Sequence, residues 1–264
     1  RKYPDESNAI PIIDCVKFNS EVATIDYSDP KNIIIKTKSN RTFRADNVIF
    51  TASLGVLKAY HATIFKPHLP PPKLSAINYF NIGTVNKIFL EFPHRWWDEE
   101  VASFELLWPD AEITRYLHSE PCKNWWLLHV FGFFTVDYQP RVLCGWVTSH
   151  GAQYMENLSD SEVQSKLFYL LNRFLGKKYN IPSPDRMLRS NWHSDKHFHG
   201  AYSFRSMKTQ SYNIKTSDLS DPVCTGEDND RKPVGVSLKF NLRSLDDHFK
   251  FNSVMKFVQD AVQV

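Results

Sequence analysis

The sequence predicts a mixed fold of helices and strands (α/β, of the α+β kind) from three patterns along its 264 residues. Short runs rich in isoleucine and valine alternate with turn residues over residues 11–50, which is typical of a β-meander. Longer apolar runs over residues 82–148 indicate a sheet that is buried on at least one face. A capping box at Ser159 and Glu162 then opens an amphipathic helix that ends at Gly176.

The meander contains four predicted strands and a connection to the next part of the chain. The strands are residues 12–18, 22–27, 32–37 and 47–50. The segments Ser28-Asp29-Pro30 and Ser39-Asn40 supply the turns. We expect the last strand to end at Gly55, within T-A-S-L-G-V-L-K. The proline-rich residues 67–72 then form a stiff connection between two domains.

The second part of the chain adds further strands and the capped helix. Strands are predicted around Leu106 and over residues 125–134 and 141–148. The helix carries apolar side chains at helical spacing, which indicates that it packs on the sheet. These side chains are Val163, Leu167, Leu170, Leu171 and Phe174. A second helical pattern near the C-terminus consists of Val254, Phe257, Val258 and Val262.

Residues 82–92 form the strand around which the rest of the chain is organised. Strict alternation places Lys87 between Val85 and Phe89 on one face and Asn86 on the other. Where that face is covered, the ammonium loses water and its pKa falls, so the amine could act on a ligand or a water molecule. The alternative is a lysine on an edge strand, with its stem over apolar surface and its charge in solvent.

Composition excludes several classes of protein. The net charge of +3 is small and no run of basic residues indicates a nucleic-acid groove. The longest nearly apolar run, residues 125–136, is too short to cross a membrane. Four cysteines without paired spacing favour reduced thiols in an intracellular protein: Cys15, Cys122, Cys144 and Cys224. The chain begins at Arg1 without a leader, and we expect it to have been cut from something longer.

Three groups of residues could carry chemistry. His193, His197 and His199 could bind a metal, although their spacing matches no strong ligand pattern and loop histidines are usually solvated. Lys87, Trp192 and Tyr202 could enclose a flat cofactor or a cationic amine, or be three unrelated core or rim residues. The pair Gly226 and Glu227 could contact phosphate and sugar hydroxyls, or form an ordinary exposed turn.

Three motifs occur together in a characteristic order. They are T-A-S-L-G-V-L-K at residues 51–58, I-G-T-V-N-K-I-F-L-E-F at residues 82–92 and W-H-S-D-K-H-F-H-G-A-Y-S at residues 192–203. In sequence and spacing they resemble the flavin-dependent amine oxidase family, closest to its polyamine and spermine oxidases. The resemblance extends over residues 22–231 and corresponds to the later half of such an oxidase.

The resemblance implies a portion of a two-domain fold. Residues 1–60 would belong to an FAD-binding domain, residues 61–210 to a substrate domain built on a mixed sheet flanked by helices, and residues 211–264 to a return into the FAD-binding domain. None of the nine glycines forms G-x-G-x-x-G, so the phosphate-binding half of the cofactor domain is expected to be absent and this chain to be an inactive, incomplete form. The tail from about Lys232 does not match the family.

The resemblance also assigns roles to individual residues. Lys87 matches the lysine that holds a water near flavin N5, and Trp192 the tryptophan that packs beside the isoalloxazine. Tyr202 matches the aromatic wall that guides the amine. The cofactor-binding positions are completed by Val22, whose backbone would meet the adenine, and by Gly226 and Glu227.

The activity implied by the resemblance is the FAD-dependent oxidation of a polyamine, such as spermine or an N-acetylpolyamine, to an imine while O2 is reduced to H2O2. The expected partners are the small amine and O2, without nucleic acid or membrane, and the expected location is the cytoplasm, with the peroxisome or nucleus as alternatives. Two other functions remain open. One is a non-catalytic interaction protein derived from an amine oxidase, and the other is an oxidase of a monoamine or of methylated lysine.

Overall fold

The computed structural model describes residues 15–29, 32–119, 122–224 and 235–238. Within them the chain forms two units. The first takes its residues from Arg1–Thr51, Tyr60–Ser75 and Thr216–Lys239, and the second from Ala52–Ala59 and Ala76–Lys215. Gly226, Glu227 and the predicted C-terminal helix lie outside the described residues.

The described residues form strands and mostly short helices. The strands are β1 (Val22–Asp26), β2 (Ile33–Thr37), β3 (Thr42–Ala45), β4 (Val48–Phe50), β5 (Phe65–Lys66), β6 (Asn81–Gly83), β7 (Val85–Glu91), β8 (Ser103–Glu105), β9 (Val130–Val136), β10 (Gln139–Thr148), β11 (Arg186–Arg189), β12 (Ala201–Phe204), β13 (Val223–Cys224) and β14 (Gly235–Leu238). The α-helices are α1 (Leu54–Ile64), α2 (Pro71–Tyr79), α3 (Asp110–Ser119), α4 (Ser149–Met155), α5 (Asp160–Leu175), α6 (Met207–Ser211) and α7 (Ser217–Ser220), and a 3-10 helix spans Cys122–His129. Within this described part of the chain, no helix has the length and apolar character needed to cross a membrane.

The first unit contains two small sheets of mixed strand direction. In one, the strand order is β3-β2-β1-β5, with β1 antiparallel to β2 and parallel to β5. In the other, β14 lies between β13 and β4 and is parallel to β4. Ile25, Ile33 and Phe65 are completely or almost completely buried in this unit. The mixed helix-and-strand class predicted from the sequence is therefore confirmed.

Two predictions for the first 60 residues need correction. Residues 16–18 do not form a strand, and the rest of that predicted strand lies mostly outside the described residues. Val16 and Phe18 are exposed, so an apolar run without a covering layer does not persist as a strand. Gly55 does not end a strand but lies in the first turn of α1. The Ser53 hydroxyl starts that helix by accepting the N–H of Val56 at 3.1 Å.

The proline-rich connection is shorter than the sequence predicts. Pro71 and Pro72 are the first two residues of α2, so the irregular connection ends at Pro70. A proline suits the first turn of a helix because the N–H it lacks would have no partner inside the helix. The domain boundaries at residues 60 and 210 stay a prediction, and so does the assignment of FAD to one domain and substrate to the other.

The main sheet of the second unit has the strand order β11-β7-β10-β9-β8, with each neighbouring pair antiparallel. Exposure alternates along β7 as the sequence predicts. Asn86, Ile88 and Leu90 are completely buried, whereas Lys87 and Phe89 are half-buried. The buried face shares a core with the apolar side of α5. The sheet therefore has one covered face and one more open face, and Lys87 lies on the open one.

Helix α5 begins as the capping box predicts. The Ser159 hydroxyl accepts the N–H of Glu162 at 3.2 Å, and Val163 and Leu167 are buried. Gly176 follows the last helical residue, as predicted, with a right-handed φ of −64°. The sequence therefore predicted both the apolar face and the N-terminal cap of this helix correctly.

The run over residues 125–134 is only partly a strand. Residues up to His129 form the 3-10 helix, and β9 begins at Val130. Trp126 and Leu127 are neighbours in the chain and both are completely buried, which the alternation of a strand would not allow in one core. An apolar run by itself does not distinguish these two outcomes.

One carboxylate joins three strands of this sheet. Glu91 of β7 accepts from Arg141 of β10 at 2.8 Å and from Arg186 of β11 at 2.6 Å. The hydrogen bond from Arg186 is the main reason that the pKa of Glu91 lies below its usual value. These contacts lie at the end of β7 that is remote from Val85, with Lys87 between the two.

Candidate functional site

Lys87 lies on an interior strand of the sheet rather than on an edge strand. It lies on β7, between β10 and β11, and its cross-strand neighbour on β10 is Trp146. The ammonium lies over the Trp146 ring, with 4.6 Å from Nζ to the ring centroid. Burial lowers the pKa of Lys87 below its usual value, because the charged form loses hydration. The edge-strand alternative is therefore wrong, and the pKa shift expected from the sequence has the predicted direction.

An apolar and aromatic surface surrounds this amine. Cys144 and Trp146 are buried at its centre, with Phe89 and Phe134 packed against them. Phe131 is 41% exposed and contacts the Trp146 ring edge-on, with 5.8 Å between the centroids. Burial raises the pKa of the Cys144 thiol to about 12, so this cysteine is an apolar neighbour rather than a nucleophile. The surface can support a flat heterocycle, and the amine can act as a donor or hold a water molecule at its rim.

The segment that begins at Ser190 runs alongside β7 next to Lys87. The N–H of Ser190 donates to the Lys87 carbonyl, and the N–H of Lys87 donates to Ser190 Oγ, each at 3.0 Å. Two residues later, the N–H of Trp192 donates to the side-chain oxygen of Asn86 at 3.1 Å. The structure thus brings the backbone of Trp192 to the strand that carries Lys87, although the two are more than a hundred residues apart. The Trp192 ring itself contacts Phe198 edge-on, with a centroid distance of 4.7 Å.

Tyr202 has an unusual backbone conformation. It lies in β12, which pairs with β6 just before β7 begins, and it is the bulged residue between Ala201 and Ser203. Its φ of +62° is in the left-handed region, which is rare for a bulky side chain. Its side chain is 55% exposed. A bulge of this kind turns a side chain away from the direction that regular pairing would give it.

The other three predicted cofactor residues do not belong to the described part of the second unit. Val22 is the first residue of β1 in the first unit and is 36% exposed. Gly226 and Glu227 lie outside the described residues. Their roles, like those of Lys87, Trp192 and Tyr202 toward a flavin, remain predictions.

The histidine-rich segment has no metal-site geometry in the described part of the chain. His193, His197 and His199 lie on the turns that precede β12. Among the described residues, no group of three or more histidine, cysteine, aspartate or glutamate side chains is arranged to hold a metal ion. The backbone of this segment instead packs on α1, where the carbonyls of Phe198 and His199 approach Gly55 closely.

Sequence reasoning missed two polar residues that hold the Trp192 segment. The sequence pattern places Asn86 only on the face opposite Lys87, and it gives Glu156 no role. The carboxylate of Glu156 accepts the N–H groups of His193 at 2.9 Å and Ser194 at 2.7 Å. The signal available for Asn86 was an amide on the strand face that otherwise carries only Ile88 and Leu90, because a buried amide requires hydrogen-bond partners. Nothing in the sequence near Glu156 pointed to its partners.

The chemistry of these residues fits a flavin on the open face of the sheet. The half-buried amine and the aromatic surface supply a donor and a flat apolar support. In comparisons with known proteins, the sequence model of the family described as flavin containing amine oxidoreductase matches residues 14–228. The chain belongs to this family. Its motifs around Gly55, Lys87 and Trp192 are therefore those of a flavin amine oxidase, as the resemblance indicated.

Several relatives of this amine oxidase chain are named as polyamine oxidases or as histone demethylases. Over 174 residues, 65% of the chain, it is 33% identical to the peroxisomal N(1)-acetyl-spermine/spermidine oxidase of Bos taurus. Polyamine oxidase 1 of Zea mays is 30% identical over 71% of the chain, and lysine-specific histone demethylase 1B of Mus musculus is 27% identical over 79%. The aligned parts are 34%, 35% and 24% of those proteins, so the chain spans about a third of the length of the curated polyamine oxidases it matches.

A solved structure shares the fold. It is a double mutant of putrescine oxidase whose cofactor binding was redesigned, and it superimposes with a TM-score of 0.53 over 84% of the chain and 42% of the solved chain. The sequences are 16% identical, so this likeness concerns the fold alone. It agrees with the predicted fold class, a portion of the flavin amine oxidase fold.

Proposed function

We propose that this chain forms the substrate side of an FAD-dependent amine oxidase that acts on polyamines such as spermine or N-acetylpolyamines. The observation that carries the proposal is the half-buried Lys87 ammonium over Trp146, on an open aromatic face and with a pKa lowered by burial. The relatives named as polyamine oxidases support the substrate class. A bound flavin would supply the redox chemistry, in which an amine loses one hydrogen from carbon and one from nitrogen to become an imine, and O2 receives the two electrons and two protons to become H2O2.

In this proposal the residues of the chain bind, orient and exclude water. Lys87 holds a water molecule at the rim of the aromatic face, since the N–H groups of its side chain can donate a hydrogen bond to the water oxygen. Trp192 and Tyr202 form the walls of the same site. Val22, Gly226 and Glu227 would contact the cofactor.

The test measures the rate of peroxide release when a panel of amines is added to the longest natural form of the protein that contains these residues. Spermine and N-acetylated polyamines should be oxidised faster than monoamines. Replacing Lys87 by Met should slow flavin reduction or reoxidation by at least about a hundredfold, because general acid–base groups contribute on that scale. Unchanged rates in both half-reactions would remove Lys87 from the mechanism.

A second candidate is oxidation of methylated lysine in a peptide. The relatives named as histone demethylases favour it, and one of them aligns over 79% of the chain. Methylated histone-tail peptides therefore belong in the same panel. Faster peroxide release with these peptides than with polyamines would replace the first proposal, and no release with any amine would favour an interaction protein.

We also propose a cytoplasmic location. The support is the wide spacing of the four cysteines, which suits reduced thiols. Imaging of a fluorescent fusion of the natural protein tests this proposal. Co-localisation with peroxisomal or nuclear markers would contradict it.

A further inference from the structure

Asn86 is a polar side chain in an apolar place. It is completely buried, on the face of β7 that also carries Ile88 and Leu90. Burying an amide costs stability unless its groups are hydrogen-bonded. Here the oxygen accepts from the Ser190 hydroxyl and from the N–H of Trp192, each at 3.1 Å. The nitrogen donates to Glu156 at 2.6 Å and faces the Ala152 carbonyl at 3.5 Å.

Glu156 extends this network to the next two residues of the segment. It directly follows α4, and one carboxylate oxygen accepts both from Asn86 and from the N–H of His193 at 2.9 Å. The other oxygen accepts from the N–H of Ser194 at 2.7 Å. Three consecutive backbone N–H groups, those of Trp192, His193 and Ser194, therefore each donate to a side chain from a distant part of the chain. Such groups are the ones that a turn leaves without partners inside itself.

The network holds the backbone of Trp192 at a defined position beside the strand that carries Lys87. Asn86 is the chain neighbour of Lys87, and Ser190 bonds both to Asn86 and to the N–H of Lys87. An asparagine suits this position because it accepts with its oxygen and donates to Glu156 with its nitrogen. An aspartate could not donate, and it would bring a second carboxylate against Glu156.

We propose that Asn86 and Glu156 are positioning residues, which orient the Trp192 turn toward the site of Lys87 and do not themselves contact substrate or cofactor. The inference rests on the proposed function for its purpose, since it concerns the wall of that same site. The inference can nevertheless be tested without any flavin, because it predicts that loss of Asn86 or Glu156 disturbs Trp192 and the two following backbone amides selectively.

The experiment uses the 264-residue chain labelled with 5-fluorotryptophan and observed by fluorine NMR. The chain has seven tryptophans, and the Trp192→Phe variant identifies the resonance of Trp192. In Asn86→Leu this resonance should shift or broaden while the other six stay in place. Amide hydrogen exchange at Trp192, His193 and Ser194 should accelerate at least about tenfold, because the Trp192 N–H loses its acceptor and the Glu156 carboxylate loses the Asn86 donor that holds it against the other two amides.

Gln153→Leu is the matched control. Like Asn86, Gln153 has a side-chain amide, but it lies on α4 and is only partly buried. It donates to Thr84 Oγ1 at 3.1 Å and makes no hydrogen bond to the Trp192 segment. This variant should leave the Trp192 resonance and the three amides unchanged. An equal response in Gln153→Leu and Asn86→Leu would mean that the loss of any side-chain amide in this part of the second unit loosens the unit, and it would overturn the proposal.

Other outcomes are equally decisive. An unchanged Trp192 resonance with unchanged exchange in folded Asn86→Leu would overturn the proposal, and so would a uniform shift of all seven resonances. Glu156→Gln serves the same test where Asn86→Leu does not fold, because Glu156 is only partly buried and the variant keeps one accepting oxygen. It should accelerate exchange at His193 and Ser194 selectively, and a null or uniform response would contradict the proposal. Because no flavin is present, failure here is distinct from failure to oxidise amines.

Discussion

At the scale of single residues, Lys87 shows how the sheet changes an ordinary side chain. The ammonium lies on a central strand and over an aromatic ring, so part of its hydration is replaced by a weaker interaction. Its pKa is consequently lower in the folded chain than its usual value of 10.5. That difference makes the stability of the fold depend on pH in a direction that can be tested.

The Lys87→Met variant is expected to be more stable than the natural chain at neutral pH. Below the lowered pKa both the folded and the unfolded natural chain carry the proton, and the folded chain bears the cost of a buried charge. As the pH rises from that value toward 10.5, the folded chain loses its proton first, so its stability increases. The gain from Lys87→Met should therefore shrink with rising pH, as measured by urea unfolding between about pH 7 and about pH 10.

The control for this pH series is Lys36→Met, which removes an exposed lysine from β2. This variant shows how the free energy of unfolding changes when a lysine charge that is not buried is removed. A Lys87→Met gain that stays constant across the series would contradict the link between burial and the lowered pKa.

Tyr202 gives a second prediction at this scale, because its left-handed φ is sterically unfavourable for a residue with a bulky side chain but not for glycine. The Tyr202→Gly variant should unfold at a higher urea concentration than Tyr202→Ala, with a difference of about 1 kcal/mol in the free energy of unfolding. Both variants lose the same exposed ring, so the pair isolates the backbone term. Equal stability of the two would show that the bulge carries no strain. Loss of activity in both would show that the conformation is kept for the side chain.

At the scale of elements, Gly55 joins two of the sequence motifs. A Cβ at this position of α1 would meet the backbone carbonyls of Phe198 and His199, which cannot move without moving the turn. Alanine favours helices over glycine by about 1 kcal/mol, but this close contact opposes it. We expect Gly55→Ala to lower the free energy of unfolding by about 1–3 kcal/mol, as overpacking typically does.

Gly83→Ala is the matched control for that change. The nearest atom to a Cβ there is a carbonyl oxygen at 3.5 Å, which is an ordinary contact distance. It should change the free energy of unfolding by much less in the same urea titration. A Gly55→Ala variant as stable as Gly83→Ala would show that α1 and the turn can separate at little cost.

The sequence was informative where a local pattern fits a single conformation. Alternation along β7 and the cap of α5 depend on neighbours within a few residues, and both were predicted with their correct faces. The start of α1 and the 3-10 helix before β9 were missed because an apolar run fits more than one conformation. The bond between Asn86 and Trp192 depends on a strand pairing over a hundred residues, which no local pattern encodes.

At the scale of the whole molecule, the chain carries the residues that would face a substrate but no G-x-G-x-x-G motif. We expect the purified 264-residue chain to hold FAD weakly, because the pyrophosphate lacks the glycine-rich turn and helix N-terminus that usually bind it. The test is incubation with excess FAD, gel filtration and a visible spectrum of the protein fraction, with FAD alone as control. A yellow protein with near-equimolar flavin would contradict this prediction.

The contacts of Glu91 with Arg141 and Arg186 have a consequence for the fidelity of folding. A slip of β7 by one residue against its neighbours would exchange Asn86 and Lys87 between the two faces, burying a cation in the core and stranding an amide outside it. The same slip would pull the carboxylate away from both guanidinium groups at once. The two ion pairs at the far end of the strand thus disfavour misaligned pairing and help to keep Lys87 on the open face of the sheet.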